Sequence, residues 1–340
     1  MGYSAGSLAK TGGWYNGYPG IRRSLLLQQD FPTSPMAGPI RVVGSLNMDL
    51  VVRVPHHPGP GETVLGSDYA TYPGGKGANQ AVAAARAGAQ VEMWGAVGSD
   101  EFGRLLQENL EHNGVDTHHL THLEGPSGLA LITVDPGGQN RIVVSPGANG
   151  RYMPEHLPPF TPAALLLLQL EIPLPTVQAA AEQAFAQGIP ILLNPAPIAP
   201  LPGSLLRQVR YLVLNESEAA ALAQSPVETP EQAQKVAQEL QKHGIPAVIL
   251  TLGGAGLVWA DGEESGHWPA HPVEVVDTTA AGDGFCGALA ACLAAGGSLR
   301  EALRFANAAA ALVVTRAGAQ PSLPQRSEIE AFLASAVETA

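Results

Sequence analysis

The stretch DTTAAGDGFCGA, residues 277–288, puts a carboxylate, Asp283, directly after Ala280, Ala281 and Gly282 and at the head of an Ala/Gly-rich helical segment. Side chains this small leave backbone N–H groups open at a helix start, where unpaired N–H groups and the helix dipole both favour an anion. An acid beside such a site repels a bound phosphate. It therefore has one of two roles: capping the helix, for which Asp is a favoured residue, or accepting a proton from a hydroxyl that attacks phosphorus.

Other segments carry similar double readings. PGGKGANQA, residues 73–81, has three glycines and Lys76 ahead of a helix. It lacks the closing Lys-Ser/Thr of a P-loop and does not follow the first strand as G-x-G-x-x-G, so neither a Walker nucleotide site nor an NAD fingerprint is indicated. Its glycines would let backbone N–H groups approach a polyhydroxy ligand, with Asn79 bonding hydroxyls; a tight turn leading into a capped helix uses the same residues. In NESE, Asn215 and Glu218 stand three apart at a strand end. They read either as a helix-capping pair or as a carboxylate ordering Mg²⁺ and its waters near nucleotide phosphates. TLGGAG, residues 251–256, suits close approach by a nucleotide or simply a hairpin. His112, His118, His119 and His122 fall within eleven residues but lack Cys, Asp or Glu at ligand spacing, which argues against a metal centre.

These residues need a frame to bring them together. The 340-residue chain is 45% hydrophobic and 14% charged, enough to bury a sizeable core. Eighteen basic against thirty acidic residues, a net charge of −12, argue against a nucleic-acid partner held by phosphate contacts. No apolar run approaches the ~18 residues of a membrane span. The two cysteines, Cys286 and Cys292, share one apolar helical stretch in neither a disulfide nor a metal pattern, which suits a reducing cytoplasm. Residues 1–38 are rich in Gly, Ser, Tyr and Pro without helical or strand periodicity, and are expected to be a disordered extension dispensable for packing. From residue 39 a single α/β domain is expected, residues 39–340. IRVVGSLNMDLVVRV reads as a strand, a polar break at residues 47–49 and a second extended piece. ALLLLQLEI, PILLNPA, YLVLNESE and AVILTLGG are apolar strands alternating with helices at 175–188 and 230–244. That alternation predicts a doubly wound, mainly parallel sheet with helices on both faces. Two pieces, about 50–72 and 128–144, break the pattern and predict a small accessory β-sheet. In an open parallel sheet ligands bind beyond the carboxyl ends of the strands, and Asn47, Asp49, Glu171, Asn194, Asn215, Thr251 and Asp277 are expected there.

GGKGANQA and DTTAAGDGFCGA, supported by NPAP, NESE, TLGGAG and TRAGAQPS, make residues from about 40 to 333 resemble the ribokinase group of the phosphofructokinase-B-type sugar kinases. Each motif alone is weak; the set at this spacing is specific. The resemblance implies a ribokinase-like fold whose accessory sheet is a lid and dimer contact. It also implies ATP-dependent phosphorylation of D-ribose to D-ribose 5-phosphate, with Mg²⁺ and K⁺. Fructokinase, ketodeoxygluconate kinase or adenosine kinase chemistry is the alternative on the same fold, and a non-catalytic sugar or nucleotide sensor the alternative outside it. Carried over, the resemblance implies sugar contacts at Asn47, Met48, Asp49, Gly75, Lys76, Gly77, Ala78, Asn79, Glu171 and Asp283. ATP contacts fall at Asn215, Thr251, Leu252, Gly253, Gly254, Ala255, Gly256, Gly282, Asp283 and Asn307. Asp283 would be the general base, with Ala280, Ala281 and Gly282 as the anion hole. Asp277, Thr279, Val313, Arg316, Gly318 and Ser322 would hold potassium, and Glu218 would hold magnesium through water. Asn307 departs from the pattern, since some ribokinases have His at that place.

Overall fold

A computed structural model describes residues 38–262 and 264–338; the expected extension, apart from Gly38, lies outside the described residues. The first half of the chain runs β1 Ile40–Val43, β2 Asn47–Arg53, β3 Ala70–Gly74, α1 Lys76–Arg86, β4 Val91–Gly98, α2 Glu101–His112, β5 Val115–Asp116, β6 Leu120–Leu123, β7 Gly128–Val134 and β8 Asn140–Ser145. The second half runs β9 Leu165–Leu168, α3 Leu174–Ala186, β10 Ile191–Leu193, α4 Gly203–Leu206, β11 Tyr211–Asn215, α5 Glu216–Ala223, α6 Pro230–Lys242 and β12 Ala247–Thr251. It ends with β13 Leu257–Asp261, β14 Glu264–Trp268, α7 Ala281–Ala294, α8 Leu299–Val313 and α9 Arg326–Glu338.

The strands form a central sheet in the order β14-β13-β12-β11-β10-β9-β1-β4-β5, with β6 also beside β4. Pairing is parallel from β12 through β11, β10, β9, β1 and β4 to β5. Alternate side chains serve opposite faces, as a period of two requires. Val42, Met93, Leu165 and Leu167 pack with α1, α2, α7 and α8. Val43, Trp94, Leu166 and Leu168 pack with α3, α5 and α6. The expected parallel sheet covered on both faces is therefore present. Its far edge departs from it: β12, β13 and β14 are antiparallel. Only residues 252–256 join β12 to β13, too few for the crossover a parallel pair needs, so TLGGAG forms a hairpin turn, which does not bear on whether a nucleotide approaches it.

β1 has β4 on one side and β9 on the other, so the chain winds outward in both directions from it. In such sheets ligands bind beyond the carboxyl ends of the strands near this switch point. The accessory sheet, ordered β3-β2-β7-β8, stands beside it. Its strands reach further than the expected 50–72 and 128–144, because β2 begins at Asn47 and β3 runs to Gly74. The polar break expected at residues 47–49 lies instead at 44–46. Asn47 pairs with Gly74 on one side and Gly128 on the other, and a backbone paired on both sides tolerates polar side chains.

Two helices come unusually close. A Cβ on Gly287 of α7 would meet Ala83 Cβ, the Ala84 nitrogen at 2.7 Å and the Gln80 carbonyl at 2.7 Å, all on α1. A Cβ on Gly77 would lie 2.5 Å from the Ser45 nitrogen and 2.7 Å from the Gly44 carbonyl carbon. Small residues thus seat the start of α1 on the end of β1 and the middle of α7 on α1.

Candidate active site

Asp283 is the third residue of α7 rather than its cap. The N-cap is Ala280, at φ 58°, which makes no side-chain capping bond, while the Ala281 N–H donates to the Thr278 carbonyl at 3.3 Å. A non-glycine residue in the left-handed region costs about 1–2 kcal/mol, and the turn it makes keeps the N-terminus clear. Gly282, in the first turn, faces open space. Both carboxylate oxygens of Asp283 are taken by amides of α1: Asn79 Nδ2 donates to Oδ2 at 3.0 Å and Gln80 Nε2 to Oδ1 at 2.9 Å. The capping reading of Asp283 therefore fails, because its oxygens serve another helix.

A cavity of about 220 Å³ lies in front of this N-terminus. Lys76, Asn194, Asn215, Glu218, Thr251, Thr278, Ala280, Ala281, Gly282, Asp283 and Cys286 contribute to its wall. Glu218 does form a capping box with Asn215, whose Nδ2 donates to Glu218 Oε1 at 2.9 Å while Glu218 N donates to Asn215 Oδ1 at 2.8 Å. Glu218 nonetheless lines the cavity, so its capping role does not remove it from the site. Burial raises its pKa, against the Asn215 backbone hydrogen bond and the Lys76 charge; Asp283 raises it further. Lys76 responds oppositely. Attraction to Asp283 outweighs burial and, with Glu171 and Glu218, raises the ammonium above its usual range.

Two further acids, Glu171 and Asp49, lie near Lys76 and Asp283 but outside the lining of this cavity. Glu171, just past β9, accepts from Ser45 Oγ at 2.6 Å and from the Lys76 backbone at 2.9 Å through Oε2. Asp49 is half-buried, and its pKa is raised to about 7 by burial, then Glu171, then Asp283. Gly74 faces it, where a Cβ would overlap the carboxylate. Asn47 Oδ1 accepts from Asn149 Nδ2 at 2.8 Å, which leaves the Asn47 amide NH₂ as its donor. Met48 is buried. Of the other sugar-contact candidates, Gly75 is the left-handed N-cap of α1, while Gly77 and Ala78 lie buried in its first turn.

Several expected residues sit elsewhere. Leu252 is buried, Ala255 belongs to the β12–β13 turn, and Gly256 packs on the backbone at Pro269 and Ala270; only Gly253 and Gly254 face open space. Asn307 Nδ2 donates to the Pro269 carbonyl at 3.0 Å and is not part of the cavity wall. Asp277 is not at a strand end; it lies in the loop between β14 and α7, because the strand before it turns antiparallel and stops at Trp268. One oxygen accepts from Thr279 N and Oγ1, the other from Gly318 N at 2.9 Å. Burial would raise its pKa, but these hydrogen bonds from Thr279 and Gly318 lower it. Val313 and Ser322 are buried, and Arg316 pairs with Glu328.

Sequence reasoning missed Gln80, Gln169, Gln320, Asn149 and Ser45. The signal for Gln80 was legible: a second amide beside Asn79 on a helix otherwise built of alanine and valine. The others come from segments more than thirty residues away from their partners and carry no local signal.

Residues 39–326 match the pfkB family of carbohydrate kinases. The chain is 44% identical over 302 residues to a ribokinase of Bacillus subtilis, covering 86% of this chain and 99% of the relative. It is 35% identical over 300 residues to a deoxyribokinase of Salmonella typhi, covering 86% and 98%. A solved Arabidopsis thaliana ribokinase, complexed with ribose and ATP, superimposes with a TM-score of 0.80 at 34% identity, covering 88% of this chain and 99% of that one.

Proposed function

The chain belongs to the pfkB family of carbohydrate kinases, and on that premise we propose that its cleft transfers the γ-phosphoryl group of ATP to D-ribose. The observation that carries the reading is the meeting in one cavity of the α7 N-terminus, the amide-held Asp283 and Glu218; the polar side chains Asn47, Asp49 and Glu171 nearby are assigned to the sugar hydroxyls. The ribose 5-hydroxyl attacks the γ-phosphorus, the bond to the β-phosphate oxygen breaks, ADP leaves and Asp283 takes the hydroxyl proton. The first N–H groups of α7, at residues 280–282, stabilise the charge on the transferring group. Lys76 adds a positive charge among Asp283, Glu171 and Glu218.

Nucleotide contacts are assigned to Asn215, Thr251, Gly253, Gly254 and Gly282. Among the described residues no three His, Cys, Asp or Glu side chains converge to hold a metal ion. A magnesium ion here would share its coordination between nucleotide phosphates, waters and Glu218, and would neutralise phosphate charge. Asp277 fits a potassium site beside the N-terminus of α7, because its carboxylate already draws residues 279 and 318 together. The catalytic unit is assigned to residues 39–340, acting as a homodimer through the accessory sheet. The cytoplasm is the assigned compartment, consistent with two free thiols; no helix of the described residues is long and apolar enough to cross a membrane.

ADP release measured over pentoses, hexoses and nucleosides tests the assignment. D-ribose should give the highest kcat/KM, and Asp283→Asn should lower turnover by roughly 10²–10⁴; it also sets an NH₂ against a donor amide of α1, which should cost about 1–3 kcal/mol of stability. The deoxyribokinase relative supports a second reading, a 2-deoxypentose acceptor. A higher kcat/KM for 2-deoxyribose would favour that reading; one for fructose or a nucleoside would replace the pentose assignment.

A further inference from the structure

Gln80 is fully buried, as is Gln169; Asn79, Asn194 and Gln320 lie nearly so, all around Asp283. Their amides are joined head to tail. Gln169 Nε2 donates to Gln80 Oε1 at 2.7 Å. Gln80 Nε2 in turn donates to Asp283 Oδ1 at 2.9 Å and to Asn194 Oδ1 at 3.1 Å. Asn194 Nδ2 faces the Val213 carbonyl at 3.2 Å and Glu218 Oε2 at 3.5 Å. On the other oxygen of Asp283, Asn79 donates, and its own Oδ1 accepts from Gln320 Nε2 at 3.1 Å.

The direction of this chain is forced. An ionised carboxylate only accepts, so each amide must turn its NH₂ toward Asp283. Gln320, whose own Oε1 accepts from Asn109 Nδ2, holds the Asn79 amide oxygen, and Gln169 Nε2 takes that of Gln80, although Gln169 Oε1 itself has no partner among the described residues. Gln80 has no surface open to substrate, so it makes no contact with sugar or nucleotide.

We infer that Gln80 is a positioning residue of the phosphoryl transfer. It locks the Asp283 carboxylate on the side away from substrate and ties it through Asn194 to Glu218. An unanchored carboxylate would rotate about its last bond and spend part of its time away from the attacking hydroxyl. The inference rests on the reading of Asp283 as general base.

The test is a double-mutant cycle of Gln80→Met, which keeps length and removes the donor, with Asp283→Asn. Gln80→Met alone should lower kcat about 10- to 100-fold, the range of one hydrogen bond to a charged group, and leave KM for ribose and ATP within about twofold. In the Asp283→Asn background the same substitution should cause no further loss, because the group it positions no longer accepts a proton. A Gln80→Met loss that recurs in full in that background overturns the inference, as does an unchanged kcat. Near-normal turnover of Asp283→Asn alone would instead remove the underlying reading. Should Gln80→Met not yield folded protein, Gln169→Met applies the cycle one amide further out. A smaller kcat loss that vanishes with Asp283→Asn then supports the inference, and an equal loss in both backgrounds overturns it.

Discussion

Asp49 lies close enough to Glu171 and Asp283 to feel both charges, and a carboxylate taken out of water beside like charges holds its proton more tightly. Burial and these neighbours bring its pKa to about 7 from 3.8. The folded protein thus keeps a proton there that the unfolded chain has released. Stability is therefore lost progressively as pH rises from about 3.8 to about 7, and the full cost is in place above about pH 7. In the ligand-free protein, Asp49→Asn should therefore raise the melting temperature above pH 7 by several degrees. The gain should shrink as pH falls toward 5. Thermal melts of both proteins from pH 5 to 9 check this, and a gap that does not change with pH would exclude Asp49 as its source. Lys76 sits on the opposite side of the same balance, its charge favoured by the acids that destabilise one another.

At the scale of elements, the site depends on how near α7 lies to α1. Asn79 and Gln80 reach Asp283 only because Gly287 and Ala83 bring the two helix backbones together. Gly287→Ala would place a methyl group against the α1 backbone at Ala84 and Gln80. Overpacking of this kind costs about 1–3 kcal/mol, and here it also separates Asp283 from its amides. Stability should fall by that amount, and kcat should fall with little change in KM; an unchanged kcat in a destabilised variant would show that the separation does not matter. A second junction lies where Asp277 bonds both residue 279 and residue 318. Under the potassium assignment, an ion seated there orders the N–H groups at the start of α7. Activity should then be higher in potassium than in tetramethylammonium at equal ionic strength, and equal rates would count against the site.

For the whole molecule, the edge of the accessory sheet leaves apolar side chains uncovered on both of its faces. Ile142 is 52% exposed and Val143 66%, with Leu131 and Val144 beside them. β8 is exposed along its full length, and open apolar surface on an edge strand invites pairing with another chain. Residues 39–340 alone should keep the turnover of the full chain and sediment as a dimer. Val143→Asp should shift them toward monomer. Sedimentation velocity with a parallel kinetic assay measures both, and a monomeric parent protein would rule out the dimer assignment.

The sequence by itself determined the layered α/β sheet, because apolar runs alternating with helices have few other ways to bury their surface. It also determined which motifs could do chemistry, since GGKGANQA and DTTAAGDGFCGA carry their small residues and acids in consecutive positions. The tertiary structure alone decided what Asp283 does with its oxygens. A local rule offers it the N–H groups of its own helix, yet its partners lie about two hundred residues earlier on α1. The structure also put β2 across Asn47 and Asp49, turned the β12–β13 edge antiparallel and left Asn307 bonded to Pro269 outside the cavity wall. The physical reason is the same in each case. Periodicity and turn chemistry act over a few residues, whereas hydrogen bonds between buried side chains are set by which backbones pack close enough to share them.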